Sequence, residues 1–158
     1  MDEIKHTSYE KIYENILAKF RSYEIPLMNE DDVVDTLHDY LIFAISQFHL
    51  CRKDLSDRND ILQRFNVELS DDEINILGNY ALLEYLDSTY IRTPTLLKVN
   101  LSSSDFNSYS PANMLDKLMN MHETYRKENE TLISRYSWMG MKENKKVDLS
   151  SFKGYKKS

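Results

Sequence analysis

The amino-acid sequence predicts an all-α protein, a helical bundle of about four main helices with a long C-terminal helix and an extended C-terminal tail. Three features predict it. Only three Gly and three Pro occur in 158 residues, too few for the tight turns that sheets, sandwiches and barrels require. Apolar residues recur at three- and four-residue spacing over long stretches, which places them on one side of a helix. Helix-start chemistry (Ser, Asn, Asp or Pro) stands directly ahead of those stretches.

The first helix is expected over residues 8–23. Ser8 is placed to cap it, and Tyr9, Ile12, Tyr13, Ile16, Leu17 and Phe20 form its single apolar face. Pro26 and Asn29 close that segment and prepare the next, because proline disfavours helix in the residue before it. The second helix runs from about residue 30 to 49, with Glu30, Asp31 and Asp32 offsetting the helix dipole at its start. Val34, Leu37, Leu41, Ala44, Ile45 and Phe48 make a stripe that Tyr40, Ile42 and Phe43 widen, leaving Asp32, Asp35, Asp39 and Gln47 facing water. So broad a stripe marks this helix as central.

Residues 51–67 lose the pattern and read as a connector with a short helical piece. Ser70 and Glu73 then form a capping box, in which each side chain satisfies the other residue's backbone amide. The helix behind it carries Ile74, Ile76, Leu77, Tyr80, Ala81, Leu82, Leu83, Tyr85, Leu86, Tyr90 and Ile91, so it is packed on several sides and pairs with the second helix. Residues 92–109 read as a loop pinned by Leu96, Leu97, Val99, Leu101 and Phe106.

The fourth helix opens with Ser110 as cap and Pro111 at its first position, where no amide donor is needed. Its stripe of Met114, Leu115, Leu118, Met121, His122, Tyr125, Leu132, Ile133 and Tyr136 ends at Gly140, read as the stop. That makes about 27 residues, roughly 40 Å. Such a rod rivals the diameter of the body, so its C-terminal third is expected to pass beyond the core, with Glu128 and Asn129 marking the crossing.

The division expected is a helical domain over residues 1–141 and a basic extended tail over residues 142–158. The tail holds six Lys against Glu143 and Asp148, a net of +4, which leaves −10 for the rest of a chain whose total is −6. An acidic body argues against a main task of gripping phosphate backbones. No apolar run outlasts residues 40–45, whereas a membrane-crossing helix needs roughly 20 such residues, so no membrane partner is expected. The first twenty residues carry Asp2, Glu3, Glu10 and Glu14 and lack the apolar centre of a signal peptide, which points to synthesis in the cytoplasm.

No catalytic apparatus is legible, and neither a cofactor nor a bound metal is expected. Asp54, Asp57 and Asp60 lack the Gly and the alternation of a calcium loop. His6, His38, His49 and His122 show no pair at zinc-ligand spacing, and Cys51 is the one cysteine. Acidic residues at 31, 32, 35 and 71–73 sit at helix starts, where capping and the dipole account for them. Met114, Met119, Met121, Met139 and Met141 read as core filler or as an adaptable surface. Trp138, at the base of the tail, reads as an anchor for a partner.

Three segments taken together suggest more: residues 51–58 (CRKDLSDR), 65–74 (FNVELSDDEI) and 105–113 (DFNSYSPAN). Their order, with a long helix ending near Tyr136, resembles the head–tail connector (adaptor or neck) proteins of tailed bacteriophages of Gram-positive hosts, over about residues 10 to 138. The resemblance implies a non-enzymatic virion protein. It would form a dodecameric ring of copies of itself on the portal protein, continue the DNA channel toward the tail, and meet a further neck or tail-completion protein. It also implies a C-terminal segment that docks on the portal. In this sequence that role falls to Trp138, Lys145, Lys146, Val147, Leu149, Phe152, Lys153, Tyr155, Lys156 and Lys157. An acidic wall suits a conduit through which the genome slides without sequence-specific binding. The competing expectation is a small helical regulatory or inhibitory protein that binds one host or phage partner through a Tyr-rich face.

Overall fold

The computed structural model describes residues 5–20, 30–91 and 111–144. Residues 21–29, 92–110 and 145–158, on which the expected break at Pro26 and Asn29, the expected loop and most of the expected tail fall, lie outside the described residues. In chain order the elements are β1 (Thr7–Ser8), α1 (Tyr9–Phe20), α2 (Glu30–Gln47), β2 (Arg58–Asn59), β3 (Arg64–Phe65), α3 (Asp71–Leu86) and α4 (Pro111–Asn144). A π-helical turn, Asp87–Ile91, extends α3. The chain is mostly helical, as the scarcity of glycine and proline predicts.

The central helix is α3, which packs against α1, α2 and α4 in turn. This corrects the expectation that α2 is central. The reason lies in how the apolar residues are spread: α3 buries Ile74, Ile76, Leu77, Ala81, Leu82, Leu83, Tyr85 and Leu86 around most of its circumference. On α2 the buried set narrows to Leu37, Leu41 and Ala44, with Phe48 just past its end, and Val34 is 38% exposed. The predicted capping box is present at the start of α3: Glu73 N donates to Ser70 Oγ at 3.3 Å and Ser70 N to Glu73 Oε2 at 2.7 Å. Ser8 caps α1 as expected, its Oγ accepting from Glu10 N at 3.2 Å.

The connector differs from the sequence reading. In place of a short helical piece, residues 58–65 form a hairpin, and β1 adds to it in the antiparallel order β1-β3-β2, pairing Thr7 with Phe65 and Arg58 with Phe65. The hairpin turns without glycine. Gln63 supplies the left-handed residue at φ 46°, a conformation that is uncommon for a residue with a Cβ. Local bonds hold it there: Leu62 N donates to Asn59 Oδ1 at 3.0 Å and Tyr9 N to Gln63 O at 2.8 Å.

Two corrections concern α4. The helix does not stop at Gly140 but continues to Asn144, 34 residues in all. Gly140 lies against Arg52: a Cβ at this position would come within 2.9 Å of Arg52 Cδ, and the arginine side chain would have to shift. Nor does the helix leave the core at Asn129. Asn129 is 1% exposed, and Ile133 and Tyr136 beyond it are buried, whereas residues 115–122 are half-buried or exposed. The better-packed half of α4 is therefore its C-terminal half. The sequence pattern misleads here because Asn129 interrupts the apolar stripe with an amide that finds a partner inside, accepting from Asn79 Nδ2 at 3.1 Å.

Candidate functional site

The end of α4 is fastened to the body by a buried polar knot. Glu73, besides closing the capping box, lies 2% exposed beneath α4, where its Oε1 accepts from Tyr136 OH at 2.5 Å. The same hydroxyl accepts from Arg52 N at 2.8 Å, and the Arg52 guanidinium lies over the Tyr136 ring, 4.2 Å from its centroid. Phe48 packs on that ring from another side, with centroids 5.5 Å apart. Burial and the Glu73 bond raise the Tyr136 hydroxyl above its ordinary pKa, so it stays a donor. One side chain thus ties the start of α3, the segment after α2 and the end of α4 together.

Several exposed apolar residues stand close to that fastening in the sequence. Arg52 abuts Gly140, and within two residues of this contact stand Leu50, Trp138, Met139 and Met141, all exposed, with Trp138 66% accessible. Large apolar side chains left in water on a rigid support are the usual core of a protein-binding surface. Trp138 is the one residue of the expected partner-binding set that falls among the described residues. Lys145, Lys146, Val147, Leu149, Phe152, Lys153, Tyr155, Lys156 and Lys157 lie outside them. Leu50 is not legible in the sequence as part of this region, its one signal being an apolar side chain between His49 and Cys51 beyond the end of the α2 stripe. Nor is the hairpin tip legible there, where Ile61 is 93% exposed beside the exposed Leu62.

Of the residues weighed for chemistry, Asp54, Asp57, Asp60, Cys51 and His38 have structural partners. Asp54 accepts from Ser56 N at 2.9 Å and Ser56 Oγ at 2.6 Å, and these bonds hold its carboxyl below the ordinary range. Asp57 accepts from Asn66 Nδ2 at 2.8 Å across the hairpin. Asp60 accepts from Tyr9 OH at 2.6 Å, which lowers its pKa, with Arg58 beside it. The three carboxylates thus fix turns, and among the described residues no group of His, Cys, Asp and Glu is arranged to hold a metal ion. Cys51 is half-buried with its Sγ 4.0 Å from Glu73 Oε1, and burial pushes its thiol up, away from the reactive thiolate. His38 Nδ1 meets Tyr13 OH at 3.2 Å, which joins α2 to α1. Among the described residues no helix is long and apolar enough to cross a membrane.

No protein-family model, curated protein or solved structure matches this chain.

Proposed function

We propose that the chain is a structural subunit of the phage neck, a head–tail connector that sits as a ring on the portal protein. In this proposal it docks through the C-terminal end of α4 and the lysine-rich residues that follow. The observation that carries it is the exposure of Trp138, Met139 and Met141 at a helix end anchored by Tyr136 and Glu73. Directly after it comes a stretch with a net charge of +4 on a chain that is otherwise acidic. An apolar anchor beside a cationic strap suits an acidic ring with apolar slots, the apolar contacts giving affinity and the lysines steering encounter. The acidic body supports the conduit role, since walls of like charge let a polyanion slide.

The test is an electron-microscopy projection of the protein mixed with purified portal rings. A second ring stacked on the portal is the expected result, lost when residues 142–158 are deleted. A protein that stays near 18.7 kDa in the mixture and is absent from virions would instead be a helical regulator acting on a single partner.

A further inference from the structure

Along one face of the molecule α3 and α4 part slightly, leaving two adjoining cavities of about 230 and 240 Å³. Asn75 and Leu132 line both. One is floored by Ile76 and Met139, the other by Leu82 and Tyr125. Each is smaller than the roughly 300–1,000 Å³ of a small-molecule pocket. Two small slots in a row, one mainly apolar and the other mixing Leu82 and Leu132 with the amides of Asn75 and Asn79, instead suit a peptide that places one side chain in each.

The rim indicates the charge of that peptide. Asp72 edges the first slot and Glu128 the second, and neither takes part in an ion pair among the described residues. On the far side of the same helix, by contrast, Glu123 and Glu130 are both bonded to Arg126, and Lys127 reaches Glu123 at 3.4 Å. Arg135 is the cation lining the first slot. A strip with two unpaired carboxylates and one guanidinium matches a mainly basic segment that carries a lone acid. Residues 145–158 hold five Lys and one Asp, Asp148.

Spacing and reach agree. The α4 residues lining the slots shift from 132–139 to 125–132, seven residues or about 10 Å along the axis. In an extended chain of three residues per turn, side chains three apart lie on one side about 9 Å from each other. Leu149, Phe152 and Tyr155 have that spacing. From Asn144, where α4 ends, an extended chain of five residues covers roughly 17 Å. That is enough for Leu149 to reach back to the slot beside Met139.

We infer that the groove between α3 and α4 is the seat of residues 145–158 of the same chain, a latch that covers the groove before assembly. Its release on docking rests on the proposed function, whereas occupancy of the groove does not, so the two fail separately. The experiment needs the full chain alone. A Cys51→Ser, Ser151→Cys variant carries a nitroxide at position 151, and circular dichroism checks its helicity. Bound to its own groove, the label should cost the Asn79 and Leu132 amide signals roughly half their intensity, in proportion to the latched population. The double substitution Asp72→Asn, Glu128→Gln should restore much of that intensity. Unchanged signals at Asn79 and Leu132 would overturn the latch. So would broadening that appears only when nitroxide-bearing chains are mixed with isotope-labelled chains lacking the nitroxide, which would make a second copy the occupant.

Discussion

The hydroxyl of Tyr136 donates to the carboxylate of Glu73 at 2.5 Å across 63 residues of sequence, and both side chains are buried. The bond joins the last buried turn of α4 to the first turn of α3. A buried carboxylate without its donor keeps the full cost of leaving water.

Tyr136→Phe keeps the ring under Arg52 and against Phe48 but removes the hydroxyl from Glu73 and from Arg52 N. We expect a loss of about 1–3 kcal/mol. Thermal unfolding reads this as a midpoint lower by about 2–4 °C for each kcal/mol.

The two ends of the predicted α2 stripe should behave differently. Leu41 is fully buried and Val34 is 38% exposed. Leu41→Ala should cost about 2–5 kcal/mol because it leaves a cavity, while Val34→Ala should stay within about 0.5 kcal/mol. Denaturant titration of the two variants checks the contrast. Equal effects would contradict the packing of α2 on α3.

That contrast shows what a single sequence reveals and what it hides. The positions of α1, α2 and α3, the start of α4 and the Ser70–Glu73 box are local properties, set by periodicity and capping, and they were readable. Val34, Asn129 and Gly140 misled because their roles depend on what lies across from them: among the described residues Val34 stands exposed, while Asn129 meets Asn79 and Gly140 meets Arg52. The hairpin was hidden because each strand is two residues long and its turn uses Gln63 in place of glycine. Of the candidate site, Trp138 was legible as a large apolar residue ahead of a basic stretch. Leu50 was not, because only the fold brings the segment after α2 to the end of α4.

Gly78 lies where α1 crosses α3, and a Cβ there would sit 2.1 Å from Asn15 Oδ1 and 2.8 Å from Lys19 Cε. Lys19 is itself held by Asn75 at 2.7 Å. Gly78→Leu should therefore push α1 away and destabilise by about 1–3 kcal/mol despite the better helix propensity of leucine. The change is measurable by denaturant unfolding, and a stabilised variant would contradict the close crossing.

Burial raises Tyr9, Tyr13 and Tyr136 above the ordinary tyrosine value of 10.0, with Tyr13 pushed up to about 12. A raised value in the folded state means that their contribution to stability is whole below 10.0 and fades as pH climbs through the folded values. The absorbance of tyrosinate should rise in two stages as pH increases, the late stage coinciding with loss of helicity. At the acid end, Tyr9 holds Asp60 below its ordinary 3.8. That contribution is present above 3.8 and lost as pH falls through the lower folded value. Tyr9→Phe should move the Asp60 midpoint up toward 3.8, as followed by NMR of its carboxyl carbon.

Trp138→Ala should leave stability within about 0.5 kcal/mol, since the indole is largely in water. If it anchors a partner, the same change should weaken portal binding by about 2 kcal/mol or more. Sedimentation of the variant with portal rings measures it, and undiminished binding would remove Trp138 from the interface.

The span of the Tyr136–Glu73 bond also bears on how the chain is made. A ribosome adding about 5–20 residues per second releases Glu73 several seconds before Tyr136. For that interval the start of α3 holds an acid whose lasting partner has not yet been synthesised. Until the far end of α4 emerges, Glu73 is held by Ser70 N and its second oxygen stays in water, so the buried seam between α3 and α4 closes only with the last part of the helix to be made.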